Sequence, residues 1–237
     1  LFISETFTKS ADAGLVESCA SSNSRQKPSQ SEEFESMLAA FTASLLLITI
    51  SELGDKTFFI AAILAMRHRR RWVFAGAVGA LGLMTVLSVL VGQAATLLPP
   101  LIVKWAEVCL FIVFGIRLLY QASQMTTTGD EEKDAAEAVN RAEKSKRKAK
   151  ETPLAIMTEA FGLVFVAEWG DRTQIATIAL SAAHPPLGVI SGAVLGHAIC
   201  AVIATNCGRW LCGRVSERTL TALGGGLFLL FGLLATI

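Results

Sequence analysis

The residues best suited to chemistry in this 237-residue chain form one six-residue pattern that occurs twice: Glu52-Leu53-Gly54-Asp55-Lys56-Thr57 and Glu168-Trp169-Gly170-Asp171-Arg172-Thr173. Carboxylate, hydroxyl and amide oxygens are hard donors for Ca²⁺, Mn²⁺ or Mg²⁺, and neither copy holds the Cys or His that would favour zinc or copper. Glu52, Asp55, Glu168 and Asp171 are therefore the candidate metal ligands. Thr57 and Thr173 offer hydroxyls, Gln174 offers an amide, and Gly54 and Gly170 permit close helix approach or local unwinding. Read as helix, each Glu and Asp lie three apart on one face, with Lys56 and Arg172 about 100° further round. Four acids against these two bases leave a formal charge of −2. One divalent cation or two protons would neutralise it, so the same carboxylates can hold either load.

Each copy lies within a long apolar run. Hydrophobic residues make up 52% of the chain and charged residues 17%, against about 25% charged in soluble domains. Roughly 20 apolar residues in a helix span a ~30 Å hydrocarbon core. Six stretches meet or approach that length: about 37–65, 73–98, 101–123, 153–182, 187–208 and 217–237. The pattern predicts six transmembrane helices and leaves no room for a sizeable soluble domain. Carboxylates are costly in such segments and usually functional. A reading in which the acids only form interhelical salt bridges with Lys56 and Arg172 would suit a single pair; two matched copies weaken it.

The duplication extends beyond the motifs. At the same offset of 116 residues, Gly76 meets Gly192, Ala77 meets Ala193, Val78 meets Val194 and Gly92 meets Gly208. One residue further on, Phe114-Gly115 meets Phe231-Gly232. The chain thus divides into a Ser-rich N-terminal tail (1–36), a first three-helix repeat (37–124), a charged linker (125–152) and a second three-helix repeat (153–237). The tail reads as disordered or as the remnant of a transit peptide, continuing a piece upstream of Leu1. The linker reads as a solvated loop or short exposed helix.

Three crossings per repeat make the second copy enter the membrane from the opposite side. The expected fold class is an all-α polytopic membrane protein of two inverted three-helix repeats, with a site near the midplane where the repeats meet. Loop charge agrees. Arg67, Arg69, Arg70 and Arg71, the basic linker, and Arg209, Arg214 and Arg218 alternate with loops at Pro99-Pro100 and His184-Pro185-Pro186 that hold only Lys104 nearby. The positive-inside rule directs the basic side to cytosol or stroma.

At these residues the sequence resembles the Gdt-type cation/proton exchanger family, whose signature is Glu-x-Gly-Asp-(Lys/Arg)-(Thr/Ser) once per three-helix half. Both copies match in full, and the resemblance covers roughly 37–237. The strings Glu52–Ala62 and Phe165–Thr173 look most like plastid and cyanobacterial members. The resemblance implies Mn²⁺ and/or Ca²⁺ exchanged for protons across an organelle membrane, with the motif acids carrying the ion and no permanent cofactor. It favours a plastid membrane, thylakoid or envelope, with Golgi or bacterial inner membrane as alternatives. The implied partners are divalent cations, protons and the lipid bilayer; a net charge of +1 points to no nucleic acid.

Other residues carry less. His197 inside the fifth segment is either a proton relay or a hydrogen-bonded core histidine. Glu107 and Glu159, near helix ends, read as interfacial. Gly76, Gly79, Gly82, Gly188, Gly192 and Gly196 read as helix-packing positions. Cys19, Cys109, Cys200, Cys207 and Cys212 form no CxxC pair and read as small apolar residues. Two other functions remain open: a passive cation channel lined by the same acids, and an intramembrane aspartyl protease using Asp55 and Asp171.

Overall fold

The computed structural model describes residues 29–125, 130–145, 152–211 and 216–236. The tail up to residue 28 with Cys19, the basic residues 146–150 of the linker, and Cys212 with Arg214 lie outside the described residues. Residues up to Phe34 and Glu35–Ile237 form two units, and all packing given below lies within the second.

The described chain is helical: α1 Gln30–Glu52, α2 Lys56–Arg67, α3 Arg70–Ala95, α4 Pro100–Gln124, α5 Asp130–Ser145, α6 Pro153–Ala167, α7 Arg172–Ala183, α8 Pro186–Leu211 and α9 Glu217–Leu234. Local signals account for the starts. Ser29 and Glu32 cap α1 reciprocally, the Ser29 N–H donating to Glu32 Oε2 (2.8 Å) and the Glu32 N–H to Ser29 Oγ (3.3 Å). α4 and α6 open on proline, which the first helical turn accommodates.

Every apolar run expected to cross the membrane is helical. α1, α3, α8 over Pro186–Cys207, and α9 are long and apolar enough to span, and α6 with α7 form one further apolar run bent by 76°. α4 occupies the remaining run and carries Lys104, Glu107 and Arg117. Leu90, Val113 and Val166 are 62%, 60% and 75% exposed, a pattern suited to lipid rather than water. The chain is a multi-pass membrane protein.

The two motif-bearing runs are not single helices, which corrects the expectation of continuous spans and of acids sharing one helical face. α1 stops at Glu52 and α2 starts at Lys56; α6 stops at Ala167 and α7 starts at Arg172. Glycine sets the break. Gly54 and Gly170 have φ of +79° and +83°, a left-handed conformation that ends helices and that other residues adopt at a cost of about 1–2 kcal/mol. Asp55 and Asp171 follow as N-caps, their carbonyls accepting the Phe59 and Ile175 N–H groups.

The elements recur at the offset seen in the sequence: α2 and α7 match at both ends, as do α3 and α8. Packing recurs with them. α3 lies against α6 and α7, and α2 against α8. A side chain at Gly76 would collide with the Met157 carbonyl and Ala160, and one at Gly192 with the Phe41 carbonyl and Ser44. α4 packs on α9 through Phe111 and Phe228, whose ring centroids are 5.8 Å apart, edge to face. The linker helix α5 is more than a solvated segment. Its Ala135 and Val139 are fully buried in one apolar cluster with α2.

Candidate metal centre at the two helix breaks

The breaks bring both motifs together. Among the described residues, Glu52, Asp55 and Glu168 each offer a carboxylate oxygen within 4.8 Å of the other two. Glu52 and Glu168 are 2% and 3% exposed. Each is held on one side only. Thr57 Oγ1 donates to Glu52 Oε2 at 3.2 Å, and Thr173 Oγ1 lies 3.5 Å from Glu168 Oε2. Glu52 Oε1 and Glu168 Oε1 are buried with no hydrogen-bond partner among the described residues. Buried carboxylate oxygens left this way are costly, and a shared cation would satisfy both.

The fourth expected ligand lies apart. Asp171 Oδ2 accepts from the Thr173 N–H (3.3 Å) and Oγ1 (3.1 Å), so this carboxylate caps α7. It lines a cleft of about 230 Å³ with Arg117 and Gln121. Asp55 makes no such cap and instead accepts from Arg172 Nη2 at 2.6 Å, across the two motifs. Lys56 reaches Asp134 on α5 at 3.8 Å. The two basic residues therefore begin half-helices and pair away from their own motif, not part-way round a continuous helix.

The supporting residues divide likewise. Thr57 and Thr173 contact the glutamates. Gln174 does not offer its oxygen freely, because Oε1 accepts the Gly170 N–H at 2.8 Å and holds the break in shape. Gly54 packs under Leu220, whereas among the described residues nothing approaches the vacant side of Gly170 within 4 Å. His197 is buried, and its Nδ1 has no hydrogen-bond partner among the described residues. Glu107 is buried, with Oε1 3.5 Å from His184 Nε2. Glu159 is half-buried. Cys200 Sγ donates to the Thr49 carbonyl, the packing role expected of it.

Sequence reasoning missed Glu131. It lines a cavity with Ser51, Gly54, Asp55 and Arg172, so the linker helix reaches the mouth of the site. Burial, then Glu217 and Asp134, raise its carboxyl above the ordinary range, against the pull of Arg172 and Lys56. Nothing in a run of linker acids distinguishes this one by sequence.

Broken apolar helices whose ends enclose an acidic cluster define a membrane protein built to handle cations. The chain belongs to the GDT1 family: the family model described as "Divalent cation/proton antiporter GDT1" matches residues 40–126 and 156–237. It is 56% identical over 201 residues to GDT1-like protein sll0615 of Synechocystis sp., covering 84% of this chain and 97% of that protein. It is 42% identical over 209 residues to the chloroplastic protein PAM71-homolog of Arabidopsis thaliana, covering 81% of this chain and 58% of that protein. GDT1-like protein 3 of Oryza sativa subsp. indica is 43% identical over 204 residues, with 81% and 71% covered. The chain thus spans little more than half the length of its Arabidopsis relative. No solved structure matches it.

Proposed function

We propose that this protein exchanges Mn²⁺ and/or Ca²⁺ for protons by alternating access, through six spans arranged as two inverted three-helix repeats. The paired orphan oxygens of Glu52 and Glu168 carry this reading. Two buried carboxylates a few ångströms apart are stable with a divalent cation between them or with protons on them, and poorly stable with neither. That exclusivity couples the two loads. Recurrence of the helices and of their packing at one offset supports the repeat, and odd parity supports its inversion.

The repeat also gives Asp55 and Asp171 exchangeable roles. In this conformation Asp55 joins the cluster while Asp171 caps α7; in the opposite one the matched residues trade places. The protease reading loses ground, since Asp55 has Arg172 and Asp171 has Thr173 as partners instead of sharing a proton. A passive channel is separated from exchange by coupling alone. The names of the plastid relatives favour a plastid membrane, with the basic loops facing stroma.

The deciding experiment is metal-driven proton flux in proteoliposomes, comparing Mn²⁺, Ca²⁺ and Mg²⁺. Glu52→Gln and Glu168→Gln should each reduce exchange by about 100-fold or more, removing both a ligand and a proton carrier. Wild-type rates in either variant would refute the assignment, and metal flux with no proton movement would establish a channel.

A further inference from the structure

Two small cavities flank the carboxylate cluster, one beside each motif, and they are lined by matched positions of the two halves. The first adjoins Glu52 and Thr57, the second Glu168 and Thr173. Each has about 10 Å³ of space, roughly what a single water requires. Geometry is shared; chemistry is not.

Where the first cavity has Phe58 and Ala61 on α2, the second has Gln174 and Thr177 on α7. Leu81 of α3 is matched by His197 of α8. On the remaining wall, Ala201 and Ala204 of the first cavity correspond to Thr85 and Ser88 of the second. Every one of these five pairs is apolar beside Glu52 and polar beside Glu168. Thr85, Ser88 and Thr177 donate to their own helix carbonyls, which leaves their oxygens free to accept. His197 Nδ1 and Glu168 Oε1, both buried beside this cavity, have no partner among the described residues.

The polar side has a direction. α7 runs from the break toward His184 and the Pro185-Pro186 turn, away from the basic loops. One turn beyond Thr177, the Ser181 carbonyl accepts from Gln93 Nε2 at 2.6 Å. At the end of that helix, His184 meets Glu107. Ser181 too is matched by an alanine, Ala65, in the first half.

We infer that the cavity beside Glu168 is a hydrated passage joining the cluster to the membrane face opposite the basic loops, with His197 as the residue that positions its water, and that the matched cavity beside Glu52 is a dry plug. Water bridging His197 and Glu168 would satisfy two buried polar atoms that otherwise have no partner. Beside Glu52 the carboxylate Oε1 is the one such atom, and the side chains facing it across the cavity, Phe58, Ala61, Leu81, Ala201 and Ala204, offer water nothing to bond. The identity of what moves through the passage, protons countering a cation, rests on the exchange reading; the passage itself does not.

The native chain supplies the test, because Cys200 lines the dry cavity and its matched residue, Met84, lines the polar one. Full-length protein in oriented vesicles, with its other cysteines replaced by alanine, is treated from each face with Ag⁺, a thiol-reactive cation of about the size of water. Labelling is read as loss of maleimide reactivity after denaturation. The reagent needs a thiolate and hence water, so M84C should react about ten-fold or more faster than Cys200, from the face opposite the basic loops. T85C serves as a second probe if M84C folds poorly. His197→Leu, which restores the first-half residue, should slow M84C labelling by about ten-fold, with His197→Gln restoring most of it because an amide also holds water. Equal labelling of Cys200 and M84C, labelling of M84C only from the basic side, or indifference to His197→Leu would overturn the passage. Labelling as expected in protein that shows no metal-driven proton flux would leave the passage standing and remove the exchange reading.

Discussion

Asp55 and Asp171 occupy the same place in the same six-residue pattern, yet the first is held by a partly buried arginine and enters the carboxylate cluster, while the second caps a helix. Lys56 and Arg172 differ as sharply. One makes a 3.8 Å contact to Asp134 with 38% of its side chain exposed; the other makes a 2.6 Å contact to Asp55 with 20% exposed. The lesson is that a duplicated motif supplies two equal sets of donors, and the packing around each decides which of them is engaged.

The sharpest way to break this comparison is to remove the Asp55–Arg172 pair. Asp55→Ala or Arg172→Ala leaves a partly buried charge unpaired and should lower stability by about 2–3 kcal/mol, read as a fall in the thermal unfolding midpoint in detergent. Lys56→Ala should cost under about 0.5 kcal/mol, since half-exposed ion pairs contribute little. Equal losses from Lys56→Ala and Arg172→Ala would show that the two halves are held alike.

Glycine at the breaks gives the next effect. Gly54→Ala and Gly170→Ala each force alanine into the left-handed region, costing about 1–2 kcal/mol. Gly54→Ala should cost more, because its new methyl would lie 2.6 Å from Leu220 Cδ1 while the space beside Gly170 is open. The same unfolding measurement resolves the pair; a larger loss at Gly170 would contradict the packing described. Asp171→Ala should then remove only a cap, about 1 kcal/mol, well short of Asp55→Ala.

The smallest effect concerns the linker helix. Because Glu131 has a raised carboxyl, docking of α5 is favoured fully below the ordinary carboxylate range and weakens as pH rises through the raised value. A spin label on the exposed face of α5 should become more mobile over that window in wild type. In Glu131→Gln the mobility should stay constant with pH; an unchanged transition would assign the effect to another group.

Much of this was legible in the chain. The apolar runs and the offset of 116 located every long helix, since burial in lipid demands length and composition that few other sequences have. The break was hidden by the same hydropathy that marked the helices, although Gly followed by Asp is a stop and a start signal in one. Reading Glu52 and Asp55 as a helical face missed it, whereas the reading of Gly54 and Gly170 as points of local unwinding fits it. Loop charge placed α5 outside the membrane but could not show that Ala135 and Val139 bury it against α2.

What the sequence determined alone was the kind of chemistry. Hard oxygen donors in apolar segments, doubled and outnumbering their bases, point to a cation whatever the geometry, because donor type and desolvation belong to the residues themselves. The tertiary structure decided the rest. Residues more than a hundred positions apart share a site only through packing, so it alone selected Glu52, Asp55 and Glu168 as the cluster, paired Arg172 with Asp55 and set His197 beside Glu168. The contrast between a polar and an apolar cavity was already present in matched positions, but it acquired meaning only once the fold showed that those positions face the same carboxylates.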